Sequence, residues 1–153
     1  MSIRKLVSVF YNRWVKSLVE RQIEQHLMDR HHIYGGPAER VLIAPTAVVN
    51  NALFNVSSGL IKIEDEVSFG HNVCLLTGKH DVAKRGADRQ KAWPDSGCDI
   101  VVRNGAWIAS NVTIVGPADI GEDAVIAAGS VVRGTIPAAV LAAGVPAKVI
   151  KPI

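Results

Sequence analysis

Residues 102–137 divide without a gap into VRNGAW, IASNVT, IVGPAD, IGEDAV, IAAGSV and VRGTIP. Every block opens on Val or Ile. The fifth place holds Ala106, Val112, Ala118, Ala124, Ser130 and Ile136. The second and third places favour Gly, Ala and polar residues. An internal repeat of fixed period sets a fold before any other signal does. Six residues make one short strand and one turn, with the large aliphatic and the small fifth residue pointing inward. Three such faces close a triangular coil. Coils then stack through parallel backbone hydrogen bonds about 4.8 Å apart. Each coil buries its apolar edges only against its neighbours, so stability is roughly a sum over the stack. Alternating strands of an ordinary sheet do not hold one phase for so long.

Working outward, IEDEVS (63–68), FGHNVC (69–74) and LLTGKH (75–80) keep the same register. Residues 81–101, DVAKRGADRQKAWPDSGCDIV, interrupt it with a long charged segment. A loop of that length inside a compact repeat is usually functional or disordered. Further back, IAPTAV, VNNALF and NVSSGL are less regular, and Ile61-Lys62 reads as a two-residue slip. Before Pro45 the period changes. Ile3, Leu6, Phe10, Trp14, Leu18, Ile23 and Leu27 recur at three-to-five spacing, which predicts helix over residues 3–33. Ser2 is a candidate N-cap and Gly35-Gly36-Pro37 a stop. The expected organisation is a helical segment (1–36) and a repeat domain (37–153), with a loop over 81–101 and a C-terminal tail over 138–153.

Composition narrows the function. The net charge of +3 permits an anionic ligand. No basic stripe with interleaved aromatics marks a nucleic-acid surface. No apolar run approaches the roughly 18 residues of a membrane span. Arg4, Lys5, Arg13 and Lys16 break the apolar residues that a secretory leader would need. Cys74 and Cys98 are too few for a disulfide framework and read as structural thiols, which fits a cytoplasmic setting. The helix reads first as a packing element on its own domain or a sister subunit. The second reading is peripheral membrane contact through residues 3–33.

The pattern resembles the hexapeptide-repeat acyltransferases over about residues 40–151. LLTGKHD, AWIASNVTI, IAAGSVV and AAGVPAKVI are similar to the galactoside, maltose and polysaccharide O-acetyltransferase branch. The resemblance implies an all-β repeat, a left-handed parallel β-helix with an N-terminal helix and one long loop. It implies acetyl-CoA as cosubstrate, with no metal. It also implies a homotrimer with active sites between subunits and a carbohydrate acceptor, as in surface polysaccharide biosynthesis. N-acetylation of an amino sugar is the alternative.

His80 closes its block where the charged loop begins, and the family's general base stands at this point of the motif. Proton transfer from a hydroxyl or amine needs a group that titrates near neutrality, which histidine supplies. Asn50 falls where the family has an asparagine that binds the acceptor sugar. The competing reading is a corner asparagine in left-handed backbone, and Asn51 and Asn55 are nearby. His71 sits third in its block, at a corner, and is carried as a substrate-side neighbour. For coenzyme A the resemblance implies Trp107, Ser110, Ala128 and Arg133, with Lys148 and Lys151 near the nucleotide phosphates. Small residues at the Ser110 and Ala128 places are equally expected from packing.

Two other classes compete. A zinc-dependent enzyme on the same fold needs three protein ligands, typically histidines. The repeat offers only His71 and His80. A non-catalytic scaffold would need neither His80 nor the loop, and would bind no coenzyme A.

Overall fold

The structure is a computed structural model that describes Tyr11, residues 14–20, Ile23 and residues 30–153. The chain forms two compact units, Met1–Arg30 and His31–Ile153. In the first unit, Tyr11, residues 14–20 and Ile23 are helical. Ser2, Ile3, Leu6, Phe10 and Leu27, which also carry the helical reading, lie outside the described residues.

The second unit is a triangular parallel β-helix. The chain enters through β1 (His32–Tyr34), β2 (Val41–Ile43), β3 (Leu53–Asn55), β4 (Ile61–Ile63), β5 (Ser68–Phe69) and β6 (Cys74–Leu76). A loop carrying α1 (Gly86–Lys91) follows. The coils resume with β7 (Ile100–Val102), β8 (Trp107–Ile108), β9 (Thr113–Ile120), β10 (Val125–Ile126) and β11 (Val131–Ile136). They end in β12 (Val140–Gly144) and β13 (Ala147–Pro152).

Three parallel ladders make the faces. Face A stacks β1, β3, β6 and the first halves of β9 and β11. Face B stacks β2, β4, β7 and the second halves of β9 and β11. Face C stacks a bridge at Val48, then β5, β8, β10 and β12. The inward places named by the hexad are the core: Ile108, Ile114, Ile120 and Ile126 are fully buried, as are Ala106, Val112 and Ala124. Each large aliphatic so buried contributes about 1.5–3 kcal/mol.

Corners repeat as strictly as strands. At the B–C corner Glu66, Gly105 and Asp123 take positive φ, at 59°, 67° and 56°. At the C–A corner Asn72, Asn111 and Gly129 do the same, at 58°, 61° and 71°. Asparagine and glycine tolerate this left-handed backbone best. Asn51 Nδ2 donates to Asn72 Oδ1 (2.8 Å) and Asn72 Nδ2 to Asn111 Oδ1 (3.3 Å), a side-chain ladder along the corner.

The two-residue slip resolves into opposite irregularities. The Asn50-Asn51 corner is one residue shorter than the His71-Asn72 corner, because Val48 pairs with Ser68 but Leu53 with Cys74. The span from Phe54 to Ile63 is then three longer than that from Ile114 to Ile120. Ile61 itself is fully buried in β4 and is part of the stack.

Two expected boundaries also move. Residues 32–34 are strand rather than helix: Ile33 alternates with exposed His32 and Tyr34, and β1 extends face A beside β3. The segment after residue 138 is a hairpin rather than a tail. Val140 and Ala142 continue the inward row, and β13 folds back antiparallel on β12.

Candidate active site

The loop leaves and returns at the A–B corner. Thr77 Oγ1 donates to the Asn55 carbonyl (2.8 Å) and accepts the Ser58 N–H (3.1 Å). On the return, the Cys98 N–H donates to the Ser58 carbonyl (3.0 Å). Both ends of the loop are thus fastened to one neighbouring coil. Cys98 is buried and Ile100 pairs in β7, so the repeat resumes a few residues before Val102. Lys79, a fifth-place residue by register, is exposed because the chain has already left the coil.

Inside the loop, backbone and guanidinium bonds close a small ring. The Asp81 N–H donates to the Ala92 carbonyl (2.9 Å). Arg89 Nε donates to the Lys84 carbonyl (2.7 Å), and Nη2 to the Val82 carbonyl (3.3 Å). This places the Arg89 carbonyl 2.8 Å from His80 Nδ1. A carbonyl only accepts, so Nδ1 carries the proton and the neutral ring keeps the Nε2 lone pair for another proton. The Trp93 ring packs edge-to-face on the imidazole, with centroids 5.9 Å apart and planes at 89°.

His80 opens onto two adjoining clefts. One, of about 390 Å³, is bounded by Asn55, Ser57, Gly78, Lys79 and Trp93. The other, of about 520 Å³, runs under the loop past Asp81, Val82 and Lys84. Ser57, Lys79, Trp93 and Arg89 were not singled out by the sequence reading, and Asn55 was named there only as a competitor to Asn50. The slip hid the Asn55 register, but Trp93-Pro94 at the end of the charged loop was a usable signal in a chain with 5% aromatics.

The other expected residues gather elsewhere. Strand register puts His71, Ser110 and Ala128 at the same place on successive coils of the C–A corner. The His71 N–H donates to Ser110 Oγ (3.1 Å), and the Gly129 N–H to the Ser110 carbonyl (3.0 Å). Asn50 belongs to this corner too. Its φ is 45° and its amide donates to the Phe69 carbonyl of the next coil (2.7 Å). Trp107 lies half-exposed on the outside of face C. Arg133 is exposed at the end of the outer row of face A, and Lys148 and Lys151 are exposed on β13. Within one chain, His80 and the Asn50 corner therefore bound opposite edges of face A.

The outside of that face mixes apolar and polar residues, with Thr113 and Asn55 inside its two rows and Arg133 at the end of one. Leu53, Cys74, Thr113 and Val131 form one row, and Leu76 and Val115 are the apolar members of the next, all half-buried. Among the described residues, no group of three or more His, Cys, Asp or Glu side chains is placed to hold a metal ion. No helix described is long and apolar enough to cross a membrane.

Comparison with known proteins agrees with this architecture. Residues 99–134 match the family model for the bacterial transferase hexapeptide (six repeats). A putative acetyltransferase of Saccharomyces cerevisiae is 35% identical over 115 residues, covering 74% of this chain and 56% of that protein. Galactoside O-acetyltransferase of Escherichia coli is 34% identical over 125 residues, covering 79% and 58%. The chain thus spans a little over half the length of these curated relatives. A hexapeptide-repeat acetyltransferase of Vibrio cholerae, solved in complex with acetyl coenzyme A, superposes with a TM-score of 0.66. It is 26% identical, covering 88% of this chain and 76% of that one. By its repeat and these similarities the chain resembles the hexapeptide-repeat acetyltransferases.

Proposed function

We propose that the protein transfers an acetyl group from acetyl-CoA to a sugar hydroxyl, with His80 as general base, in building a surface polysaccharide. The observation that carries the reading is the hydrogen bond from His80 Nδ1 to the Arg89 carbonyl, at the mouth of a cleft lined by polar groups. It holds the tautomer whose Nε2 can take a proton. His80 Nε2 removes the acceptor hydroxyl proton as that oxygen attacks the thioester carbonyl carbon. The C–S bond breaks, the imidazolium returns its proton to the departing thiolate, and an acetyl ester remains. Acetyl-CoA supplies the activated acetyl group, and this chain's residues bind, orient and move the proton.

The C–A corner suits the pantetheine arm, because Ser110 and Ala128 keep it narrow. Trp107, Lys148 and Lys151 offer contacts to the nucleotide from face C and β13, and Arg133 offers one from the A–B edge of face A. A homotrimer packed through face A, whose outside carries Leu53, Leu76, Val115 and Val131, around a threefold axis sets the A–B corner of one subunit beside the C–A corner of the next. His80 of one chain then meets Asn50 and His71 of its neighbour, and the cosubstrate lies between them. A cytoplasmic location fits a reaction that consumes acetyl-CoA.

The test is release of free thiol from acetyl-CoA across a panel of sugars and amino sugars. Replacement His80→Ala is expected to lower kcat by about 10²–10⁴-fold with the true acceptor. Full activity in that variant would remove His80 from the mechanism. Transfer to amines alone would replace the O-acetyl reading with the N-acetyl one.

A further inference from the structure

The smaller cleft beside His80 is unevenly equipped. Lys79 and His80 are the ionisable residues that line it, and no carboxylate does. Lys79 makes no ion pair among the described residues. In the adjoining cleft, the Asp81 carboxylate accepts the Ala83 N–H (3.0 Å), while Lys84 adds a second ammonium.

The polar groups are donors for the same reason of bonding. Asn55 Oδ1 accepts the Ser57 N–H (3.1 Å), which fixes the orientation of the amide and turns its NH₂ end to a ligand. The Ser57 hydroxyl stands beside it. Two glycines keep these groups in place. A Cβ at Gly78 would stand 2.7 Å from Asn55 Oδ1, and one at Gly35 would strike Ser57 Oγ. Trp93, 49% exposed, offers an aromatic wall on which a sugar ring can lie.

An ammonium, an amide NH₂ and a hydroxyl around one space match a ligand rich in lone pairs and negative charge. We infer that the acceptor is an acidic sugar, carrying a carboxylate or a phosphate near the hydroxyl that is acetylated. Lys79 and the Asn55 amide hold the anion, and Trp93 holds the ring. This rests on the transfer reaction proposed above and narrows its substrate.

The experiment uses the full chain with neutral pyranosides, the matching uronic acids and the matching sugar phosphates. Thiol release gives kcat/KM for each. Ligand-observed NMR of the same sugars reads binding without turnover. Acidic sugars are expected to be preferred by about tenfold or more, the worth of one charge-assisted contact. Their two kinds show whether carboxylate or phosphate is the anion recognised. The preference should collapse in Lys79→Gln and return in Lys79→Arg. Neutral sugars bound as well as acidic ones, or a preference untouched by Lys79→Gln, overturns the inference. A preference in binding with no thiol release from any sugar overturns the transfer reaction and leaves the anion subsite standing.

Discussion

The Glu64 carboxylate lies 2.8 Å from the Lys62 ammonium on the outside of face B. That hydrogen bond, helped by the Lys62 and Arg103 charges and opposed by partial burial, holds the Glu64 pKa below the usual carboxylate value. A depressed folded pKa stabilises the fold above the unfolded value and loses that contribution as pH falls through the folded one. Lys62→Met is therefore expected to lower the urea midpoint slightly at pH 7. The difference should shrink between about pH 5 and pH 3, around the unfolded glutamate value of about 4.3. A difference constant over that range would mean the pair is not linked to folding. The pair is solvent-exposed, so its effect is under about 1 kcal/mol. Most residues of the stack were legible because each inward place in the hexad has one environment. His80 was legible from its place at the break in the repeat. Asn55 was named only beside Asn50, because a one-residue deletion and a three-residue insertion leave a net two-residue slip that hides its register. Asn50 remains a proposal for the acceptor site. Its amide nitrogen is already bonded to the Phe69 carbonyl, which serves the corner.

At the scale of elements, the loop is organised by one side chain. Arg89 donates to the Lys84 and Val82 carbonyls, and its own carbonyl meets His80. Lysine lacks the planar fork that reaches two acceptors at once. Both Arg89→Ala and Arg89→Lys are expected to lower kcat about 10–100-fold, because His80, the proposed base, loses its fixed orientation. Coenzyme A binding and the thermal midpoint should hardly move, since the loop adds no side chain to the buried stack. A parallel fall in stability would assign Arg89 a structural role instead. The sequence marked this segment as an excursion but not its internal order. A helix as short as Gly86–Lys91 has too few turns for a periodic signal. The same holds for β1, whose three residues sit at the end of a helix-like pattern.

For the whole molecule, the decisive fact is which groups share an edge. His80 stands on one side of face A, and Asn50, His71, Ser110 and Ala128 on the other. If the site is completed across a subunit boundary, two inactive chains can repair each other. Co-expressed His80→Ala and Asn50→Ala chains should give mixed oligomers with measurable thiol release, where either alone has little. No recovery in verified mixed oligomers would place the whole site within one chain. The solenoid itself was readable from period alone, whereas the period says nothing of which corners would meet in the proposed oligomer. The A–B corner takes both long insertions of the stack. The extra residues before Ile63 and the long excursion before Val102 both enter there, and the excursion's ends are tied to a single coil through Ser58. Lengthening a flexible closure twofold costs only about 0.6 kcal/mol. The excursion between Thr77 and Cys98 can therefore change in length at little cost to the stack, so long as His80 and the Arg89 carbonyl that meets it are kept. New residues grafted into the excursion around that fixed pair are expected to change the acceptor while the proposed cosubstrate corner, on the opposite edge, stays as it is.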